Sequence, residues 1–195
     1  MSGAADGISL SLKATAGGLT ATFDQKVRFV ERSARTQRYH SQPTLHAQSV
    51  GEHTYGVMML IHLMTGGKAS AALLTAALLH DTPECATGDV PGPVKRAADV
   101  GEAFEALESR VMAYYGIEEP KLDSAEASIL KLADNLEGLS YCAFEARMGN
   151  REIQDCYMNY LAYVSGSLVR MTVPNAFALN IWNKYKEEYD NTFGK

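Results

Sequence analysis

Five histidines are few enough to weigh one by one: His40, His46, His53, His62 and His80. His80 stands directly before Asp81, where the apolar run "AALLTAALL" ends, and Glu84, Asp89 and Lys95 follow closely. Adjacent helical side chains diverge by ~100°, yet at a helix end an imidazole and a carboxylate can turn onto one ion. Burying such a pair is costly unless something satisfies it, and a divalent metal does so with neutral imidazole and ionised carboxylate ligands. A helix end meeting water would carry the same residues. His53 and His62 are nine residues apart, which at ~100° each puts them on nearly opposite faces, so they cannot serve one site. His62 lies in the apolar stretch "LIHLM" and reads as structural, whereas His53 follows Glu52 at a helix start, where a ligand is more plausible. Asp134 sits among Ile129, Leu130, Leu132, Ala133, Leu136 and Leu139, with Lys131 three residues earlier on the same face. That pair is either a surface ion pair worth ~0.2–0.5 kcal/mol or a ligand and a phosphate-binding cation on one wall of a cleft.

Taken together, "QRYHSQPTLHAQSVGEHT", "LLHDTPECATGDVPGPVK" and "LKLADNLEG" carry an H…HD…D order on His53, His80-Asp81 and Asp134. This resembles the HD-domain phosphohydrolases, and within them the bacterial YfbR-like 5′-deoxynucleotidases and the phage dATP triphosphohydrolases of the DatZ type. The resemblance covers roughly residues 22 to 165. It implies that His53, His80, Asp81 and Asp134 bind the metal, with Asp81 and Glu84 carrying catalysis and Glu84 as the acid/base residue near the attacking water. It also implies that Arg38, Lys95 and Lys131 contact phosphate and that Asp89 contacts the sugar near its 3′-hydroxyl. Tyr39 stands where these families often carry tryptophan against the deoxyribose; the aromatic wall is kept and a phenol is added.

These roles agree with elementary phosphoryl chemistry. Hydrolysis of a phosphate ester needs a nucleophile, neutralisation of the phosphoryl oxygens and a proton for the leaving alkoxide. Four ligands without further histidines at the usual spacings favour one metal over two, and HDxxE in place of HDxxK points the same way by resemblance. Two imidazoles and two carboxylates suit Zn, Co, Mn or Fe, and a triphosphate substrate would bring a second ion, Mg. Cys85 has no evident activating base. His40 and His46 fall in a loop that could border a substrate.

The elements that must position these residues read as helices. "TFDQKVRFVERSAR" has Phe23, Val27 and Val30 at helical spacing, and "GEHTYGVMMLIHLMT" ends at Gly66-Gly67. "SAALLTAALLHD" reads as a buried helix, and "TPECATGDVPGPVK", with three prolines and two glycines, as a loop or short turns. Residues 99–116, 124–149, 152–172 and 174–193 give four more helices, the last with Pro174 near its start. Residues 8–23 alternate around Gly17-Gly18 and suit either a small hairpin or a loose tail. The expectation is an all-α chain, a single HD-domain helical bundle of six or seven helices over residues 22–195 behind an N-terminal extension, residues 1–21. Tyr114, Tyr115, Tyr157, Tyr160 and Tyr163 read as core or interface, and "EIQDCYMNYLAYV" as a surface for a homo-oligomer.

Composition narrows the classes. The chain has 195 residues, 46% apolar and 21% charged, a globular mix. Its formal charge of −5 argues against a nucleic-acid polymer as partner but leaves room for a small phosphate ligand. No apolar run approaches the ~20 residues of a membrane span, and no basic stretch precedes an apolar one at the N-terminus. Three widely spaced cysteines form no disulfide framework, which suits the cytoplasm, a host's if the chain is phage-encoded. The short interval from His80 to Asp134 and three spaced cations lean toward dATP going to deoxyadenosine and triphosphate. The alternatives are a 5′-deoxynucleotidase on monophosphates, hydrolysis of a signalling nucleotide, and a non-catalytic nucleotide-binding HD domain.

Overall fold

The computed structural model describes residues 20–95, 100–171 and 175–194. Of the hairpin expected over residues 8–23, only 20–23 are described; they form no strand, with Ala21 N donating to the Tyr114 carbonyl and Phe23 opening a helix, and the role expected of Pro174 lies outside the described residues. Among these described residues nine helices run α1 Phe23–Ser33, α2 Val50–Met64, α3 Ala71–Leu79, α4 Glu84–Thr87, α5 Gly92–Lys95, α6 Val100–Tyr115, α7 Ser124–Arg147, α8 Gln154–Arg170 and α9 Ala176–Phe193. Seven are long, and α4 and α5 are single turns inside the proline-rich segment. Among the described residues there is no strand beyond an isolated bridge between Gln37 and Ser49. None of their helices is long and apolar enough to cross a membrane.

Local chemistry sets where the helices start. The side chains of Thr22, Ser49 and Asp123 each accept a hydrogen bond from the amide of the third residue of the helix that follows, and the side chains of Gln25, Glu52 and Glu126 accept one from the cap residue's amide. Such boxes satisfy amides that a helix start leaves unpaired. Glu52 of the "GEH" motif is therefore a capping residue: its Oε2 accepts from Ser49 N at 2.7 Å. α7 stops at Gly149, whose φ of 97° needs a residue without a Cβ.

The 24-residue α7 is the central post. Leu132, Leu136, Leu139 and Cys142 pack with Ile153, Tyr157, Leu161, Val164 and Leu168 toward α8 and with Ala178 of α9. Ala133 packs with Val57, Ile61, Leu73 and Ala77, joining α2 and α3. Full burial of one such leucine contributes ~1.5–3 kcal/mol. A separate cluster of Phe29, Val111, Met112 and Tyr115 ties α1 to α6, Phe29 stacking on Tyr115 at 3.9 Å. The helical period expected of α1 is present, but its Phe23, Val27 and Val30 stripe faces outward, 79%, 41% and 68% exposed. Phe29 anchors the opposite side. In α8, Tyr157 and Leu161 turn inward and Met158 is half exposed, so "EIQDCYMNYLAYV" spends most of its apolar residues inside the molecule.

Candidate metal centre and active site

Three helices deliver the central cluster. His53 lies in the first turn of α2 and is fully buried, His80 caps the end of α3 with Asp81 following it, and Asp134 lies on α7. His53 Nε2 is 3.1 Å from His80 Nε2, 3.3 Å from Asp81 Oδ2 and 3.4 Å from Asp134 Oδ1. Asp81 Oδ2 is also 3.4 Å from His80 Nε2. Neighbouring ligands around one ion with bonds of ~2.0–2.2 Å lie roughly 3.0–3.5 Å apart, so these separations fit a single divalent cation. Ligand atoms of His53, His80 and Asp134 all fall within 4.8 Å of one another.

Both imidazoles are oriented from behind. His80 Nδ1 donates to the Ala77 carbonyl at 2.7 Å, and His53 Nδ1 donates to Glu137 Oε2. Each bond places the ring proton on Nδ1 and leaves the Nε2 lone pair facing the cluster. Burial works against charge on His53, but Asp134, Asp81 and Glu137 outweigh it and raise its pKa to about 10. Burial likewise opposes ionisation of Asp81, and the imidazoles of His80 and His53 nevertheless hold its pKa below the carboxylate range. Protons or a metal must therefore balance this cluster.

A cavity of about 510 Å³ opens beside it, lined in part by Arg38, Asp81, Glu84, Asp89, Lys95, Lys131 and Asp134. Glu84 is 3% exposed; its Oε1 accepts from Lys95 Nζ at 3.1 Å, and its Oε2 is buried without a partner among the described residues. Burial, then the charge of Asp81, raises the Glu84 pKa to about 8, against the pull of Lys95. Lys95 also lies 3.6 Å from Glu108. Lys131 Nζ meets Asp134 Oδ2 at 2.8 Å and is 66% exposed at the rim.

Residues 26–185 match the family described as 5′-deoxynucleotidase YfbR-like. The chain belongs to this family. It is similar to the dATP triphosphohydrolase of Salmonella phage PMBT28, at 31% identity over 128 residues, 57% of this chain and 63% of the phage enzyme. The chain thus spans less than two thirds of that relative. It is also similar to the 5′-deoxynucleotidase YfbR of Salmonella arizonae, at 27% identity over 140 residues, 60% of this chain and 70% of that one. Its fold resembles the cyanophage S-2L HD phosphohydrolase DatZ, solved bound to dA and one catalytic Zn2+ ion. The TM-score is 0.66 at 17% identity, covering 89% of this chain and 100% of DatZ. An HD-domain phosphohydrolase from Listeria innocua gives 0.65 at 20% identity, over 88% and 90%. At such identities the structural likeness is one of fold.

Several residues of this YfbR-like site carry no chemical signal in the sequence. Glu137 accepts from His53, from Arg38 Nη1 at 3.3 Å and, through Oε1, from Gln48 Nε2 at 2.7 Å. Its sequence cues are its place in "LKLADNLEG" and its position three residues after Asp134, on the same helix face. Arg38 is buried, and Gln48 Oε1 takes a second bond from its Nη1 at 3.0 Å. Tyr39 has a φ of 55°, rare for a residue with a Cβ, and its amide donates to Asp89 Oδ2 at 2.9 Å. Its ring stacks on Tyr141 at 4.5 Å and its hydroxyl lies 3.2 Å from that of Tyr160. Tyr160 and Tyr163, read from sequence as core or interface, line the cavity, whereas Tyr39 stands behind Tyr160. His40 and His46 are exposed, and His46 Nε2 lies 3.6 Å from Glu52. His62 is exposed near the far end of α2. Cys85 is half-buried, and burial pushes its thiol up to about 11, which removes it as a nucleophile near neutral pH.

Proposed function

We propose that this protein is a metal-dependent phosphohydrolase that cleaves the 5′ ester of a deoxynucleotide and releases the deoxynucleoside. The observation that carries the reading is the convergence of two imidazoles and two carboxylates beside a cavity holding a proton-poised carboxylate and several cations. His53, His80, Asp81 and Asp134 would hold one ion of the Zn, Co, Mn or Fe class, and a triphosphate would bring Mg. When bound, the ion supplies Lewis-acid neutralisation of the phosphoryl oxygens and acidifies the attacking water.

The chain's own groups do the rest. Glu84 takes the proton of the attacking water as the new P–O bond forms, and returns it to the 5′ oxygen as the old P–O bond breaks. A pKa near 8 suits both halves of that exchange. Arg38, held against Glu137 and Gln48, presents a fixed guanidinium to the phosphoryl oxygens. Lys95 and Lys131 add mobile positive charge, and Asp89 faces the sugar. Tyr39 shapes the sugar wall through Tyr160.

The test is product analysis by chromatography of the metal-loaded protein on all deoxynucleoside mono- and triphosphates, with ribonucleotide controls. Deoxynucleoside release is expected, with Asp81→Ala losing both metal and turnover because a charged ligand is gone. An Asp81→Ala protein that stays metal-loaded and fully active would sink the assignment.

A further inference from the structure

Among the described residues four cations line the cavity, and three have carboxylate partners: Arg38 with Glu137, Lys95 with Glu84 and Glu108, and Lys131 with Asp134. The fourth, Arg170 at the end of α8, makes no ion pair among the described residues. Its Nη2 is only 3.4 Å from the Ser167 hydroxyl. The side chain nonetheless stays at the cavity wall. It folds back over Gly166, one turn earlier, where an added Cβ would meet Nη1 at 3.4 Å. Ser167 Oγ also lies 3.5 Å from Asn135 Nδ2, and Asn135 follows the metal-cluster residue Asp134. Arg170 and Lys131 thus sit on the Asp134 side of the cavity, linked to it through Ser167–Asn135 and directly.

A guanidinium on a cavity wall with no carboxylate partner among the described residues is a ready anion contact, since guanidinium forms strong charge-assisted, bidentate hydrogen bonds with phosphate. A monophosphate at the metal cluster already has Arg38 and Lys95. We propose that Arg170 is a specificity-determining residue that holds the phosphates beyond the one attacked, making a deoxynucleoside triphosphate the preferred substrate. This rests on the phosphohydrolase reading above and selects among its substrates.

The test has two arms. In the first, steady-state kinetics on dATP, dADP and dAMP compare the wild type with Arg170→Ala, Arg170→Lys and Arg170→Glu. Loss of one charge-assisted contact is expected to raise KM for dATP at least about tenfold more than KM for dAMP, which is ~1.4 kcal/mol. Arg170→Glu widens the gap further, Arg170→Lys recovers part of it, and dADP falls between. An equal effect on mono- and triphosphate, as a contact to the base or a purely structural role would give, overturns the inference. In the second arm, inorganic triphosphate and orthophosphate are titrated calorimetrically into the metal-loaded proteins. Arg170→Glu is expected to weaken triphosphate at least about tenfold more than orthophosphate, and parallel changes overturn the inference. A wild type that releases deoxynucleoside from no substrate refutes the phosphohydrolase reading, and the calorimetric arm still decides what Arg170 binds.

Discussion

Glu137→Gln is the sharpest probe of the site, because all three donors around the carboxylate are fixed. Oε1 accepts from Gln48 Nε2, and Oε2 accepts from His53 Nδ1 and Arg38 Nη1. An amide has one accepting oxygen. Turned with its nitrogen toward Gln48, it sets donor against donor; if Gln48 flips in response, its own nitrogen meets Arg38 Nη1, whose bond to Gln48 Oε1 is then lost. Turned the other way, the amide faces Arg38 with a donor and forces the His53 proton onto Nε2, the atom that faces the metal cluster. The side chain cannot swing clear toward α2, because it packs over Gly56, where even a Cβ would meet Glu137 Cγ at 2.6 Å. One unsatisfied buried donor costs ~1–3 kcal/mol, and loss of an outer partner to a metal-binding histidine typically costs ~10–100-fold in affinity. Zinc titration against a competing chelator should therefore show Kd rising ~10–100-fold, with a higher substrate KM at saturating zinc because Arg38 loses an anchor. Wild-type zinc affinity together with wild-type KM would refute the coupling of the two residues through Glu137.

Glu84→Gln should keep its metal, measured by elemental analysis, and lose at least ~100-fold in kcat; unchanged turnover removes Glu84 from the proton path. Lys95→Ala should shift the pH profile. Glu84 keeps its proton up to about pH 8, chiefly through burial and then the Asp81 charge, which a bound cation offsets, while Lys95 favours the ionised form. A rate that needs ionised Glu84 falls as pH drops through that value, and removing Lys95 moves the fall to higher pH by roughly one unit; an acid limb that stays put or moves down contradicts this. Gly138→Ala would bring a Cβ to 2.3 Å from Tyr160 Cζ, so the tyrosine must leave its place against Tyr39. Overpacking of this kind costs ~1–3 kcal/mol, a fall of roughly 3–10 °C in Tm, together with a raised KM. A wild-type melt and KM would show that Tyr160 is free to move.

The fold class was legible because apolar residues recur at helical spacing and turn signals stand at the helix ends. Capping chemistry made the starts of α1, α2 and α7 sharp. Which face of a helix is buried was less legible, as α1 shows: three apolar residues in register face outward because one phenylalanine on the other side finds Tyr115. In the site, His53, His80, Asp81 and Asp134 were legible through the resemblance of their H…HD…D order to the HD-domain phosphohydrolases, and the structure brings the last three to 3.1, 3.3 and 3.4 Å from His53 Nε2. Glu137, Gln48 and Tyr160 act through what they touch across tens of residues, and Arg170 through a cavity wall that its local contacts with Ser167 and Gly166 do not reveal. Tyr160 illustrates the problem. A tyrosine at helical spacing looks like core, and only the bare Gly138 beneath it brings it to the cavity wall.

The apolar pattern of α7 also hides a second, polar stripe. Asp134, Glu137, Gly138, Tyr141 and Glu145 lie within roughly 100° of one another around the helix and span ~16 Å along it. Gly138 lies beneath Tyr160 of α8, and the other four meet the segment that carries Arg38, Tyr39 and Gln48, or the helix that segment leads into. Asp134 faces His53; Glu137 binds His53, Arg38 and Gln48; Tyr141 stacks on Tyr39 and donates to the His46 carbonyl. Fully buried Glu145 accepts the amides of Leu45 and His46 at 2.7 Å each. A buried carboxylate accepting two backbone amides is costly to lose, so the loop is held in register by the same helix that supplies the metal-cluster aspartate. The distance between the metal cluster and Arg38 is thereby set by helix geometry. A shift of α7 by one residue would turn this stripe by ~100° and part His53, Arg38, Gln48 and Tyr39 from their α7 partners together.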